Sequence, residues 1–319
     1  MRTFWFQLGR WLFARGDART AAALRVAYCA IVLLILWDFY PVMDLLFGHG
    51  GLYGTLEPYP YGLDGVANLL FHADSTIGLR VWFFATVGVC LLALLGIAPR
   101  LNLALTYLSM FLFRERGPFI TFGADLVLNC IGLWLLFLDT GKAWCLCAKR
   151  SSTEGSPPQI ALWPVRAIQL QVALIYLITG LAKLHTQPWQ DGSAVYYALH
   201  VGDVMKGAPA SFLLEQRWLL AAMNYGTLGV ELLVPFALLY RPLRLYAVAA
   251  CFCLHSSIDV LMSIRFFSLV MYLGLLSFLD DQAWAALTRA PALRLLQTRL
   301  HMLRAGAARV LLRAPIPPS

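Results

Sequence analysis

The chain alternates between long apolar runs and short polar segments over most of its length. An apolar run of about 20 residues is long enough for a helix to cross the hydrocarbon core of a bilayer. The pattern therefore predicts about eight transmembrane helices, of which the third is shorter than a full crossing. The predicted spans cover residues 21–40, 79–98, 101–113, 126–138, 160–181, 219–239, 243–258 and 264–279.

Both ends of the chain have a different, amphipathic pattern. Residues 3–16 predict a helix with an apolar face that includes Trp11 and a different face that carries Arg10. Such an amphipathic helix is expected to lie on the membrane surface. After Pro291, leucines recur at helical spacing beside basic residues such as Arg299. We expect both ends to contact anionic lipids. A protein partner site on the tail is the alternative.

Composition supports a membrane protein. The 319 residues are 60% hydrophobic and 13% charged, whereas soluble domains carry about 25% charged residues. The predicted fold class is an all-α, polytopic integral membrane bundle. It forms one domain at 17–283, flanked by an interfacial helix at 1–16 and a basic tail at 284–319. The net charge of +8 lies mostly in short loops and tails, as membrane topology requires, so no nucleic-acid partner is expected.

The basic residues also predict orientation. With eight spans, both termini share one side, and most Lys and Arg residues fall there. The other side has Arg80, Arg114, Arg116, Lys183, Lys206, Arg217 and Arg265. Positive residues favour the cytoplasmic side. We therefore expect cytoplasmic termini, with the Lys183 end of the fifth span facing outward.

The cysteines predict no metal site. Five of the seven fall in apolar spans, where cysteine behaves as a small hydrophobic residue. Cys145 and Cys147 form a C-x-C in a polar loop, but no second Cys or His pair lies nearby.

The strongest candidate for chemistry is Lys183, near the end of the fifth span. Partial desolvation favours the neutral amine, which can act as a base. The alternative is a lysine that extends to the lipid headgroups, as lysines near helix ends usually do. His185, Trp189 and Asp191 follow directly.

Other ionisable residues lie inside or next to the spans, where charge is costly. Glu231 and His255 are within spans, and Arg114 and Asp125 bracket a Gly-Pro break. Each could form a structural ion pair or hydrogen bond. Around one outward-facing cavity, they would supply a base, counter-charges and a dry pocket for proton abstraction.

The run YLITGLAKLHTQPWQDG resembles the segment of vitamin K-dependent γ-glutamyl carboxylase that contains its catalytic lysine. The matching positions are Tyr176, Gly180, Lys183, Leu184, Trp189 and Gly192. The segment that begins at His255 resembles the carboxylase's His-containing helix. Arg114, Asp125 and Glu231 match positions in bacterial proteins with the same core, the horizontally transferred transmembrane (HTTM) domain. The resemblance covers roughly residues 17–281.

This resemblance implies a catalytic set of Lys183, His255 and Glu231. Lys183 would deprotonate a reduced quinone, a vitamin K-like naphthoquinol, so that it reacts with oxygen, with carbon dioxide as a further substrate. His255 and Glu231 would orient Lys183 or tune its charge. The implied substrate-binding residues are Trp189, Asp191, Tyr196, Tyr176, Arg114 and Asp125. A bacterial inner-membrane location is expected from the compact form of the chain.

Three departures change this expectation. Lys142 stands where the carboxylase has an assisting histidine, and Ala182 stands where it has a second lysine. The carboxylase's large lumenal region has no counterpart. We therefore expect quinol oxidation rather than peptide carboxylation. The alternative is a non-catalytic membrane protein that binds a lipid or protein partner, with Lys183, Glu231 and His255 as a structural network.

Overall fold

The computed structural model describes residues 2–48, 51–52, 76–116, 122–146, 158–201 and 205–289. This part of the chain is mostly helical and has only two short strands, which confirms the all-α fold class. It divides into two compact units, Met1–Phe278 and Leu279–Ser319. Cys147, most of the loop after the first span and the predicted basic tail beyond residue 289 lie outside the described residues.

The helices are numbered in chain order. In the first unit they are α1 (Arg2–Leu12), α2 (Ala18–Phe39), α3 (Met43–Phe47), α4 (Thr76–Leu95), α5 (Pro99–Arg116), α6 (Gly123–Leu136), α7 (Trp163–Leu184), α8 (Gln187–Gln190), α9 (Ala194–Leu199), α10 (Gly207–Leu214), α11 (Arg217–Leu239), α12 (Arg244–Leu261) and α13 (Phe267–Leu276). A 3-10 turn, Tyr40–Val42, joins α2 to α3. The described part of the second unit contains α14 (Asp281–Arg289).

Five helical segments of the described chain are long and apolar enough to cross a membrane. They are Ala18–Phe47, Ile77–Leu95, Trp163–Leu184, Arg217–Leu239 and Arg244–Leu261. The apolar helices α6 and α13 are shorter, below the roughly 20 residues of a full crossing. Helix α5 contains the third predicted span, but charged residues occupy both of its ends. The count of eight spans stays a prediction.

Helix α2 begins at a two-stranded sheet. The strand β1 (Arg15–Asp17) pairs antiparallel with β2 (Gln159–Ala161). Asp17 then caps α2, because its carboxylate accepts a hydrogen bond of 2.8 Å from the backbone N–H of Arg19. This pairing joins the start of α2 to the segment that enters α7.

Arg25, in the second turn of α2, is completely buried. Its guanidinium donates hydrogen bonds of 2.6 Å to the backbone carbonyls of Thr140 and Trp144. It also lies 3.1 Å from Cys145 Sγ. These contacts hold the loop after α6 against the start of α2. Nε of Arg25 is buried and has no hydrogen-bond partner among the described residues.

The pair formed by α7 and α11 has the most extensive helix contact described. Gly180 of α7 permits the close approach, because a Cβ there would lie 3.0 Å from Cβ of Glu231 on α11. Large side chains at the contact would separate the helices. The glycine therefore brings the end of α7 next to the middle of α11.

Candidate functional site

A cavity of about 390 Å³ lies between α7, α11, α12 and α13, and its lining includes residues of α8 and α9. Its walls are mostly apolar, with Met223 and Met271 among them. Five of the sequence-predicted residues line it: Tyr176, Lys183, Trp189, Glu231 and His255. Volume and apolar character are both typical of a small-molecule site.

Lys183 and Glu231 form an ion pair in this cavity. Nζ of Lys183 lies 2.6 Å from each carboxylate oxygen of Glu231. The side chains are 25% and 10% exposed, respectively. Nζ also lies 5.2 Å from the ring centroid of Trp189, within the range of a cation–π contact. The geometry favours ammonium and carboxylate, because each charge compensates the other in an apolar wall.

His255 interacts with Tyr176 rather than with the ion pair. The Tyr176 hydroxyl lies 2.7 Å from His255 Nε2. His255 is buried, and its other ring nitrogen, Nδ1, has no partner among the described residues. Phe267 packs edge-on against the imidazole at 5.4 Å. A buried nitrogen without a partner leaves room for a hydrogen bond with a ligand or a water.

Trp189 is held by a residue that the sequence analysis missed. The side-chain amide of Asn224, which is fully buried in α11, donates a hydrogen bond of 3.0 Å to the Trp189 backbone carbonyl. Asn224 lies two helical turns before Glu231, so α11 supplies both a support for Trp189 and the partner of Lys183. A buried asparagine inside a spanning helix was the available signal.

Asp191 and Tyr196 do not line this cavity. Asp191 is in a turn, where the Ser193 hydroxyl and backbone N–H donate to it. The first of these hydrogen bonds does most to hold the pKa of the Asp191 carboxyl below its ordinary value. Tyr196 packs on His200 with ring centroids 4.1 Å apart. Asp191 and Tyr196 therefore make contacts within the segment that follows α8 rather than in the cavity.

Asp125 lines a different cavity, and Arg114 lines neither. One carboxylate oxygen of Asp125 accepts a hydrogen bond of 2.8 Å from the Phe122 backbone N–H, which caps α6. Arg114 is close enough to interact electrostatically with Asp125. The side chain of Arg116 lies outside the described residues. The ionisable residues grouped from the sequence are thus divided between two cavities rather than gathered around one.

A family model described as the HTTM domain matches residues 73–284, about two thirds of the chain. The chain belongs to the HTTM family. An uncharacterized protein, YitO of Bacillus subtilis (strain 168), is similar to this HTTM protein, with 24% identity over 280 residues. The alignment covers 84% of this chain and 85% of the relative. No solved structure matches the chain.

Proposed function

We propose that this HTTM protein is a membrane enzyme that removes a proton from a lipophilic substrate, for which a reduced naphthoquinone is the leading candidate. The observation that carries the proposal is the Lys183–Glu231 ion pair in an apolar cavity of about 390 Å³. Acid–base groups in a site with little water interact more strongly with a substrate than the same groups in solution.

The residues of the cavity fit a quinol. A naphthoquinol is an apolar double ring with hydroxyl groups on opposite sides, and this cavity presents an ion pair and a buried histidine in apolar walls. Lys183 and Glu231 would hold one hydroxyl, and the free Nδ1 of His255 is a candidate partner for the other. A bound quinol would supply reducing equivalents to oxygen. Peptide carboxylation with carbon dioxide is not part of the proposal.

The proton acceptor in this proposal is the ion pair as a unit. Lys183 bound to Glu231 is an ammonium, and an ammonium cannot take a further proton. It becomes a base only after its own proton moves to Glu231, whose carboxylate oxygen lies 2.6 Å from Nζ. The neutral amine can then accept the substrate's proton, and the resulting ammonium stabilises the anion that forms.

His255 is a positioning residue in this scheme. Its hydrogen bond with Tyr176 and its packing against Phe267 fix the imidazole ring in the cavity wall. Trp189 restricts the position of the Lys183 ammonium through its ring face.

A binding protein without catalysis is the second candidate. The observation that favours it is that Lys183 contacts both carboxylate oxygens of Glu231, so each residue already has its partner. Under this hypothesis the ion pair fixes α7 against α11, and the cavity holds a lipophilic ligand.

The experiment uses full-length protein in lipid nanodiscs with reduced naphthoquinone and ¹⁸O₂. Mass spectrometry follows the incorporation of ¹⁸O into the quinone product. We expect product with the wild type and at least a 100-fold lower rate with Lys183→Met, the lower limit of a typical general-base contribution. Lys206→Met is the matched control, because Lys206 is exposed and contacts the Asp259 carbonyl.

The outcomes separate the two candidates. Equal rates for wild type and Lys183→Met would contradict the role of Lys183. No product from the wild type, together with tight binding of the oxidised naphthoquinone, would support the binding protein. Binding is measured as a shift of the unfolding temperature with ligand concentration.

We also propose that the protein resides in a bacterial inner membrane with both termini in the cytoplasm. The support is the excess of basic residues on the side of the termini. The amphipathic ends would contact anionic lipids there.

A further inference from the structure

A second cavity of about 460 Å³ lies at the same end of the bundle as Lys183. It is formed by the end of α2, the start of α6 and the turn between α12 and α13. Its lining shares no residue with the cavity of Lys183. The activity proposed above therefore does not account for it.

The charged groups of this cavity have opposite signs. Arg265 donates a hydrogen bond to the Asp38 carboxylate across a separation of 227 residues in sequence. The Arg265 side chain is nevertheless 71% exposed. A guanidinium has five N–H groups, so Arg265 retains donors for another acceptor. Asp125 uses Oδ2 to cap α6 and, as a carboxylate, can accept further hydrogen bonds.

Aromatic side chains form much of the remaining wall. Phe39, Phe122 and Phe266 line the cavity, and Phe122 is 71% exposed. Phe266 has a left-handed backbone with φ of 57°, which L-residues with a large side chain rarely adopt. This conformation occurs just before α13 begins, where Phe266 lines the second cavity and Phe267 lines the first.

We propose that this cavity binds the headgroup of a phospholipid with a primary amine, phosphatidylethanolamine. Arg265 would bind the phosphate, and Asp125 would accept hydrogen bonds from the ammonium. A zwitterion suits a cavity that contains one guanidinium and two carboxylates, since each ligand charge finds its opposite. The phenylalanine rings would contact the glycerol and the start of the acyl chains.

The same chemistry disfavours the other common headgroups. Phosphatidylcholine has no N–H to donate to Asp125. Phosphatidylglycerol has no cation, so Arg265 could still bind its phosphate but the headgroup would offer no positive charge to Asp125. Free phosphoethanolamine has the same charges but no apolar part to contact the aromatic wall.

The first test uses wild-type protein, delipidated in detergent and exposed to each of the three lipids with matched acyl chains. Native mass spectrometry measures the fraction of protein that retains one lipid. We expect retention of phosphatidylethanolamine at roughly tenfold lower lipid concentration than of the other two, the effect of one charge-assisted hydrogen bond. Equal retention of all three lipids would overturn the proposal, as would equal binding of free phosphoethanolamine.

The second test uses the variants Arg265→Gln and Asp125→Asn. Each should weaken retention of phosphatidylethanolamine roughly tenfold, and Asp125→Asn should also remove the preference over phosphatidylcholine. Arg80→Gln and Asp44→Asn are matched controls, because these residues form an exposed ion pair that does not line the cavity. Equal losses in the cavity variants and the controls would overturn the assignment.

The two proposals can fail separately. Lys183→Met should leave lipid retention unchanged, because Lys183 lies in the other cavity. A loss of retention in Lys183→Met as large as that in Arg265→Gln would overturn the separate second site.

Discussion

At the residue scale, the ion pair of Lys183 and Glu231 carries most of the functional argument. The residues are 48 positions apart in sequence, yet Nζ lies 2.6 Å from each carboxylate oxygen. Removing one partner from a buried pair leaves a charge without compensation, which costs more than the pair itself contributes. The same geometry thus serves proton transfer and the attachment of α7 to α11.

We predict that Glu231→Ala lowers the free energy of unfolding by about 1–3 kcal/mol. This is below the roughly 3–5 kcal/mol for a fully buried pair, because Lys183 is 25% exposed and can partly reach solvent or headgroups. The double variant Lys183→Met/Glu231→Leu should recover most of the loss, since it leaves no charge. Denaturant unfolding in detergent measures both.

The matched control for this prediction is Asp44→Ala. It removes the partner of Arg80 in a pair whose side chains are about half exposed. Such a pair contributes at most about 1 kcal/mol. If Glu231→Ala costs no more than Asp44→Ala, the ion pair has no net stabilising effect and only its chemical role remains.

At the element scale, the contact between α7 and α11 depends on one glycine. A Cβ at Gly180 would meet Glu231 Cβ at 3.0 Å and Leu232 Cδ2 at 3.1 Å. These distances are shorter than ordinary packing contacts, and the backbone carbon of Glu231 is also within 3.2 Å. The helices must separate slightly to admit a methyl group.

We predict that Gly180→Ala is less stable than Gly229→Ala by roughly 1–3 kcal/mol, the usual cost of overpacking. Gly229 is the matched control, because it is in α11 and a Cβ there would have no neighbour within 4 Å. Alanine should stabilise α11 at that position by up to about 1 kcal/mol. Unfolding of both variants under one condition measures the difference. Equal stabilities would mean that the helices tolerate the methyl group.

The apolar pattern predicted the helices themselves well, because burial in lipid or protein requires long apolar runs. It was less accurate at α13, where the predicted span began at 264 and the helix begins at Phe267. The cause is the left-handed backbone of Phe266. Glycine and asparagine commonly adopt this conformation, but neither stands at this position in the sequence. The local pattern of apolar and polar residues cannot predict a backbone conformation that is imposed by tertiary packing.

The candidate site was partly predictable. A lysine at a helix end and an acidic residue inside a span each indicated a functional position, and the structure brings Lys183 and Glu231 into contact. The separation of Asp125 from Lys183 into two cavities was not predictable, because the residues that share a cavity depend on the relative rotation of the helices. Asp125 faces Arg265 and Asp38 in the second cavity instead.

At the scale of the first unit, residues expected on the same side of the membrane make contact. Arg265 pairs with Asp38 at one end of the bundle. At the other end Arg100 pairs with Asp139, and the Gln169 side chain donates to the Ser277 carbonyl. These contacts agree with successive helices, including the short helices α6 and α13, that run in opposite directions along the bundle.

We predict that a green fluorescent protein fused to the C-terminus fluoresces in bacteria, whereas alkaline phosphatase fused there is inactive. A fusion directly after His200 should give the opposite pair of results, since the end of the fifth predicted span faces outward. The two reporters act as controls for each other. Reversed activities at both positions would show the opposite orientation, and identical activities would mean an even number of spans between them.

The buried guanidinium of Arg25 has a consequence for synthesis. Its acceptors, the carbonyls of Thr140 and Trp144, follow it by 115 and 119 residues. At about 5–20 residues per second, the ribosome needs on the order of ten seconds to produce them. During that interval the first span carries an uncompensated charge, and Arg25 must extend to the headgroups. Helix α2 therefore completes its contacts with the loop after α6 only after four predicted spans have been made.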